Sequence, residues 1–334
     1  MLTKTIISFP GLGIEEFTVD KIAFQIGENF PVYWYGVIIT LGIISAFLYA
    51  AYRCYFEKIK VDDLIDVGLW TVILGVIGAR MYYVLTSLDR YIPEPFDFAQ
   101  FIKNILNLRN GGLAIYGGII CGILGIIIAT KIKKMNTIKL MDMAGPGVMI
   151  AQSIGRWGNF FNGEAFGGIV AEESPLYFLR MGLISDNSID KFNTVDMVYV
   201  HPTFLYESLW NVLGFILINI FYKKKKFNGQ TACMYLAWYG FGRMFIEGLR
   251  TDSLYVGPFR ISQLVGAFCF VVFGALLIWG LIYSKKYDDP NAELNKLDKI
   301  LKPDMERNPV FFAKKVKADG VSDEEKGEEN GKDN

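Results

Sequence analysis

Seven long apolar segments constrain the fold of this chain more than any other feature. The hydrocarbon core of a bilayer requires about 20 apolar residues in helical form. The segments lie at approximately 32–52, 64–86, 112–130, 138–155, 202–222, 230–250 and 260–283. Hydrophobic residues make up 52% of the 334, which is rare in a soluble chain of this length. The pattern predicts an all-α, polytopic integral membrane protein with seven transmembrane helices.

Clusters of lysine and arginine predict the orientation of these spans. They follow spans one, three, five and seven, at 53–60, 131–139, 223–226 and 285–286. If consecutive spans alternate in direction, all four clusters lie on one side, which the positive-inside rule makes cytoplasmic. The N-terminus is then outside and the C-terminus inside. We expect an extracytoplasmic segment at 1–31, a membrane domain at 32–283 and a charged cytoplasmic tail at 284–334 that is disordered at its end.

Polar residues outside those clusters gather toward the opposite, outer ends of the spans. The stretch "GRWGNFFNGEAFG" at 155–167 leaves span four as a predicted loop. Arg80 lies near the outer end of span two, and Tyr35 opens span one. The stretch "HPTFLYE" at 201–207 enters span five, and "YGFGRMFIEGLR" at 239–250 ends span six. These segments therefore meet in one leaflet.

Span six carries the strongest electrostatic signal. At 100° per residue, Tyr239, Arg243, Glu247 and Arg250 form one stripe. A charge at the bilayer centre costs about 2.5–3.5 kcal/mol on insertion scales, and an Arg243–Glu247 pair one turn apart offsets part of that cost. A structural ion pair between helices is one interpretation. Arginines 80, 156 and 250 favour the other, an anion site.

The anion most available at that depth is the phosphate of a lipid headgroup. Guanidinium groups present a fork of donors that matches phosphate oxygens. The glycines of 155–168 allow close backbone approach to an anion. The four cysteines show no CxxC pairing and no strongly basic surface is evident, so we expect no metal, no cofactor and no nucleic-acid partner.

At these residues the sequence resembles the prolipoprotein diacylglyceryl transferases of bacteria. The family signature Gly-Arg-x-Gly-Asn-Phe-x-Asn-x-Glu-x-x-Gly is matched without exception by "GRWGNFFNGEAFG". The Trp-Tyr-Gly opening at 34–36, the Gly-Gly elements at 111–118, "HPTFLYE" and "YGFGRMFIEGLR" also match, and the resemblance covers about residues 30–283.

The resemblance implies a reaction and its participants. The diacylglyceryl group of phosphatidylglycerol passes to the thiol of the lipobox cysteine in a preprolipoprotein signal peptide, which gives a thioether and glycerol 1-phosphate. It also implies a multi-pass protein of the bacterial cytoplasmic membrane with its site toward the extracytoplasmic leaflet. The matching site positions are Tyr35, Arg156, Asn159, Glu164, Gly167, Tyr239, Arg243 and Glu247.

The sequence departs from the family at one position. Many relatives have His-Gly-Gly where this chain has Tyr116 in "AIYGG". Because a phenol has a pKa near 10, Tyr116 is expected to hydrogen-bond a headgroup or an oxyanion rather than to abstract a proton.

The remaining roles follow from the chemistry of the step. Arg156 and Arg243 are predicted to hold the phosphate where negative charge develops. Glu164 either orients Arg156 or Asn159 or accepts the thiol proton, and His201 and Glu247 are the other candidate acceptors. His201 also has a structural interpretation, at the start of span five. Asn162 either binds headgroup hydroxyls or braces the loop, and Arg80 and Arg250 complete the predicted substrate site.

Two other function classes remain open on the residues alone. An organic-anion or lipid transporter would also place arginine and glutamate in the membrane. No internal repeat of the kind common in transporters is evident, and the polar groups cluster at one face. A lipid hydrolase would need a Ser/His/Asp or metal set, and the chain has a single histidine.

Overall fold

The computed structural model describes residues 4–27, 30–93, 97–107 and 111–287, with side chains described up to Ser284. The predicted disordered end of the tail lies outside these ranges. Every predicted span corresponds to a helix, with ends within a few residues of expectation except at the end of span four. The helices are α1 (Trp34–Glu57), α2 (Val61–Thr86), α3 (Phe98–Leu106), α4 (Ile115–Ile132), α5 (Thr137–Asn162), α6 (Asp186–Phe192), α7 (Thr203–Tyr222), α8 (Gln230–Leu249) and α9 (Ile261–Tyr287).

Five of these helices are long and apolar enough to cross a membrane: α1, α2, α4, α7 and α9. Many of their large apolar side chains are exposed, for example Leu48, Leu69 and Ile282, as lipid-facing residues would be. The protein is therefore a multi-pass membrane protein. Helices α5 and α8 are less apolar because they carry charged residues, among them Arg156 on α5 and Arg243 and Glu247 on α8. That both span the bilayer, with the N-terminus outside, stays a prediction.

The prediction of an all-α chain is wrong, because the structure contains β-strands. These are β1 (Lys4–Phe9), β2 (Ile14–Asp20), β3 (Ile22–Ile26), β4 (Phe30–Tyr33), β5 (Met181–Ile184), β6 (Val198–Val200), β7 (Tyr255–Val256) and β8 (Phe259–Arg260). Four of them form an antiparallel sheet in the order β2-β1-β5-β6, and β3–β4 and β7–β8 form hairpins. Each strand is short, and none shows in the sequence as a strongly alternating run.

The described chain forms two compact units, residues 4–50 with 138–287 and residues 51–137. In the first unit, one face of the four-stranded sheet packs into an apolar cluster with the start of α7. Ile7, Leu183 and Val200 are fully buried there, beside Phe166 and Phe204. This cluster anchors the chain directly before His201.

Helices α5, α7 and α8 of the first unit are joined by polar contacts. The hydroxyls of Ser153 and Ser208 lie 2.9 Å apart and link α5 to α7. The rings of Trp210 and Trp238 stack at 4.1 Å, and each indole N–H donates to the other residue's carbonyl, which links α7 to α8. These contacts fix the three helices that carry the charged residues.

Helix α5 differs most from expectation. The stretch from 155 to 162, predicted as a loop, is its last two turns, and the loop begins at Gly163, where φ is +62°. The helix also continues through Pro146, although proline removes one backbone hydrogen bond. A Cβ at Gly147 would lie 3.0 Å from the Ala46 carbonyl, so glycine here permits close approach of α1.

The second unit is built on close contact between α2 and α4. A Cβ added at Gly117 would lie 2.3 Å from the Gly78 carbonyl, and one added at Gly78 would lie 2.6 Å from the Gly117 carbonyl. Only glycine allows the two backbones to approach so closely.

Candidate active site

A single carboxylate joins the two arginines that the sequence singles out. Glu207 Oε1, on α7, accepts a hydrogen bond from Arg156 Nη2 of α5 at 2.8 Å and another from Arg243 Nη1 of α8 at 2.8 Å. Arg156 Nε lies 2.8 Å from Glu207 Oε2. Arg156 and Arg243 come from different helices and meet within the first unit.

Two further carboxylates pair with arginines at this site, Glu247 with Arg243 and Asp252 with Arg250. Glu247 Oε2 lies 2.6 Å from Arg243 Nη2, which is the predicted pair one turn apart. Arg250 donates to both oxygens of Asp252, at 2.9 and 2.7 Å, and its Nη1 lies 3.9 Å from Glu207 Oε2. Burial opposes the ionisation of Asp252, but the Arg250 pair holds its pKa below the ordinary value.

The signature residues after Arg156 form a chain of hydrogen bonds that leads back to it. Glu164 Oε1 accepts from Asn159 Nδ2 at 3.1 Å and from Asn162 Nδ2 at 3.3 Å. Asn159 Oδ1 in turn accepts from Arg156 Nη1 at 3.4 Å. Glu164 therefore lies two hydrogen bonds from the arginine, in a position to orient it.

A backbone strap at Gly167-Gly168 ties the signature loop to α7 and α8. Gly167 N–H donates to the His201 carbonyl and Gly168 N–H to that of Leu249, both at 2.9 Å, and His201 N–H donates to the Gly168 carbonyl at 3.0 Å. A Cβ at Gly167 would lie 2.6 Å from that of His201. Gly167 is therefore a packing requirement of the site.

His201 is half-buried beside this strap. Its Nδ1 lies 3.2 Å from the Tyr206 hydroxyl. Burial lowers the pKa of His201, so the imidazole is neutral near pH 7. A neutral ring keeps one nitrogen that can accept a proton.

Comparison with known proteins identifies the family. The family model described as prolipoprotein diacylglyceryl transferase matches residues 21–279. The chain belongs to this family.

Curated relatives agree with the family match. A protein named phosphatidylglycerol–prolipoprotein diacylglyceryl transferase from Clostridium kluyveri is 43% identical over 251 residues, which are 74% of this chain and 91% of the relative. One of the same name from Clostridium botulinum is 40% identical over 268 residues, 80% and 99% of the two chains. Another from Finegoldia magna is 39% identical over 270 residues, 80% and 96%.

Two aromatic residues that the family resemblance selects lie in the same unit as the arginines. Tyr239 is one turn before Arg243 on α8, near enough to Arg243, Glu207 and Arg156 for electrostatic interaction. The Tyr35 ring packs on Gly158, where an added Cβ would lie 2.9 Å from it. Tyr35 is also 38% exposed, so it remains accessible to a ligand.

Two predicted site residues of this diacylglyceryl transferase family member lie in the second unit. Tyr116 is half-buried in the first turn of α4, and within the described residues its hydroxyl makes no hydrogen bond. Arg80, 7% exposed, donates from Nε, Nη1 and Nη2 to five carbonyls, those of Asn104, Ile105, Asn107, Gly111 and Gly112. A guanidinium has five N–H donors, so this arrangement supports a structural role for Arg80. Its role in substrate binding stays a prediction.

Glu207 and Asp252 belong to the site but were not predicted from the sequence. Glu207 ends the stretch "HPTFLYE", and a carboxylate within an apolar span was the available signal. Asp252 lies beyond the matched motif, and nothing in the sequence marks it as a partner of Arg250.

Proposed function

We propose that this protein transfers the diacylglyceryl group of phosphatidylglycerol to the thiol of a lipobox cysteine in a preprolipoprotein. The observation that carries the proposal is the pair Arg156 and Arg243, joined through Glu207. Family membership and the names of the relatives favour this reaction over an anion transporter.

The arginine pair suits the charge change of the reaction. The thiol sulfur bonds to the glyceryl carbon as the bond from that carbon to the phosphate oxygen breaks. The electron pair of that bond leaves with glycerol 1-phosphate, and the thiol proton goes to an acceptor. Donors aimed at the departing phosphate stabilise the transition state more than the bound lipid.

Both guanidinium groups keep surface for this contact. The side chains of Arg156 and Arg243 are 20% and 11% exposed, whereas that of Glu207 is 4% exposed. On Arg156, Nε and Nη2 contact Glu207, whereas on Arg243, Nη1 contacts Glu207 and Nη2 contacts Glu247. The lipid phosphate takes the exposed guanidinium surface that these carboxylates leave.

The contacts of Glu164 and His201 favour different roles for them. Glu164 already accepts two amide hydrogen bonds, which supports its role in orienting Asn159 and Arg156. His201 is half-buried with its Nδ1 3.2 Å from the Tyr206 hydroxyl, and it stays a candidate acceptor of the thiol proton beside Glu247. We place the reaction in the extracytoplasmic leaflet of the bacterial cytoplasmic membrane, on the basis of the positive-inside pattern.

A direct assay tests the reaction. Purified protein is incubated with phosphatidylglycerol and a lipobox peptide, and the peptide mass is measured; a peptide with serine in place of the cysteine is the control. We expect a diacylglyceryl mass gain on the cysteine peptide only. Release of free diacylglycerol without peptide modification would indicate a hydrolase instead. Anion uptake by vesicles containing the protein, with no mass gain, would indicate a transporter.

A further inference from the structure

Glu207 is the buried carboxylate shared by the guanidinium groups. We propose that Glu207 is a positioning residue, which sets the spacing and orientation of Arg156 and Arg243 for the departing phosphate. The inference rests on the proposed function for its catalytic consequence, and on the structure for its geometry.

The shared oxygen limits the distance between the arginines. Arg156 Nη2 and Arg243 Nη1 each lie 2.8 Å from Glu207 Oε1, so these two nitrogens are no more than twice that distance apart. Arg156 meets the carboxylate at two points: its Nη2 donates to Oε1, and its Nε lies 2.8 Å from Oε2 in an ion-pair contact that is not a hydrogen bond. The hydrogen bond and the ion pair together restrict the position of this guanidinium.

The surroundings of Glu207 show that it acts through the arginines. The residue is 3% exposed, which leaves almost no surface for a substrate to touch. Its Oε2 accepts no hydrogen bond within the described residues, and Arg156 Nε and Arg250 Nη1 are the cations near it. The carboxylate and the guanidinium groups thus compensate each other's charge where Glu207 itself is almost fully buried.

The backbone of Glu207 is itself held between the two helices that supply the arginines. Its neighbour Ser208 hydrogen-bonds Ser153 on α5 at 2.9 Å. Less than one turn later, Trp210 stacks on Trp238 of α8. The carboxylate therefore extends from a fixed point, and its position determines where the two guanidinium groups lie.

Steady-state kinetics of Glu207→Gln test the proposal. The Gln amide keeps one acceptor oxygen but presents N–H groups to a guanidinium, so the arginines separate. We expect kcat to fall about 10- to 100-fold with a smaller change in KM for phosphatidylglycerol. A kcat within about twofold of wild type, the scatter expected of such measurements, would overturn the proposal. If this variant does not fold, Glu207→Asp replaces it, with the same expectation, because its shorter side chain cannot bridge both arginines.

A matched control distinguishes positioning from general stability. Asp142 is another fully buried carboxylate of the first unit, which accepts from the backbone N–H of Gly229 and Ala232. We expect Asp142→Asn to lower the melting temperature and to leave kcat of the folded fraction unchanged. A fall in kcat per folded molecule equal to that of Glu207→Gln would contradict a specific role for Glu207.

A double-mutant cycle asks whether Glu207 acts through Arg156. If it does, Glu207→Gln costs much less in the Arg156→Ala background than in wild type. Losses that multiply would refute the proposal.

A readout without catalysis keeps the inference separate from the proposed function. Phenylglyoxal modifies arginines, and peptide mass mapping gives the rate at each one. Glu207→Gln is expected to speed modification of Arg156 and Arg243 but not of Arg180, which lies over the Tyr177 ring. Unchanged rates would reject the positioning role even in a protein with no transferase activity.

Discussion

At the scale of single residues, the site is an arrangement of arginines whose charges are largely compensated. Arg243 has Glu207 and Glu247 beside it, and Arg250 has Asp252. Compensation reduces the cost of placing these cations at membrane depth. In the proposed reaction, little net positive charge is then left to attract the phosphate, so the directions of the N–H groups not covered by carboxylates would determine where it binds.

Removal of either arginine that we propose to bind the phosphate should therefore slow transfer strongly. We expect Arg156→Ala and Arg243→Ala each to reduce kcat about 10²- to 10³-fold, the loss typical of one preorganised donor. Arg180→Ala is the control, because Arg180 stacks on Tyr177, 4.0 Å from the ring centre, and lies in neither the signature nor the arginine cluster. The measurement is steady-state transfer to a lipobox peptide. Turnover near wild type in both variants would end the hypothesis.

Substitutions at Glu164 distinguish orientation from proton transfer. Gln retains an oxygen that can accept from Asn159 and Asn162, so we expect Glu164→Gln to keep most activity and the pH–rate profile of wild type. Glu164→Ala loses the oxygen that accepts both hydrogen bonds, and at about 1 kcal/mol for each bond this predicts a loss of about 30-fold. If Glu164→Gln instead abolished the acidic limb of the profile, where a catalytic base becomes protonated, Glu164 would be the base.

The sequence allowed some of these residues to be placed together but not others. Arg243 and Glu247 share a helix face, so their pairing follows from helical periodicity. Glu207 is contributed by another helix, and only tertiary packing of α5, α7 and α8 makes it the partner of Arg156. Arg80 and Arg156 are both arginines. The sequence does not show that backbone carbonyls accept the hydrogen bonds of Arg80, whereas a carboxylate accepts one from Arg156.

At the scale of structural elements, the strap at Gly167-Gly168 offers a matched pair of substitutions. A methyl group at Gly167 meets His201, whereas at Gly168 nothing lies within 4 Å of the added Cβ. We expect Gly167→Ala to destabilise the fold by about 1–3 kcal/mol and to reduce transfer, as overpacking does. Gly168→Ala should be close to wild type in melting temperature and in transfer rate. Equal behaviour of the two variants would contradict the packing argument.

Arg80 organises the segment between α2 and α4 in the second unit. Because five carbonyls from 104 to 112 accept from one guanidinium, we expect Arg80→Ala to destabilise this segment by several kcal/mol. The rate of hydrogen exchange at the backbone N–H groups of residues 104–107, 111 and 112 should rise in the variant. Arg90→Ala is the control, since Arg90 is exposed and its Nη1 donates to the Tyr83 hydroxyl. Unaltered exchange in Arg80→Ala would show that the bonds contribute little.

The helices were predictable because a long run of apolar residues is a strong signal. The strands were not predictable because a short strand leaves only a weak alternating pattern of apolar and polar residues. Strand β6 has three residues and β7 has two, too short for alternation to be recognised. The end of α5 was missed for another reason. Its glycines and asparagines are typical of loops, but Gly158 packs on Tyr35 within the helix. Tertiary contact overrides local propensity there.

At the scale of the whole molecule, the orientation of the helices in the membrane determines whether the substrates can reach the site. A peptide that arrives from outside and a lipid of the outer leaflet reach the arginines only if the C-terminal ends of α5 and α8 face the extracytoplasmic side. The positive clusters at 131–139 and 223–226 predict this orientation.

Labelling of single cysteines in intact cells tests that orientation. The four native cysteines carry no disulfide, so a cysteine-free background is expected to fold. Glu172→Cys places a thiol in the exposed connection between α5 and α7, and Lys224→Cys places one in the exposed turn between α7 and α8. A membrane-impermeant maleimide should label the first variant in intact cells and the second only after lysis. Both variants should retain transfer activity, which shows that they are folded. The reverse labelling pattern would place the arginine site on the cytoplasmic side, away from an exported peptide, and would contradict the topology on which the proposed reaction depends.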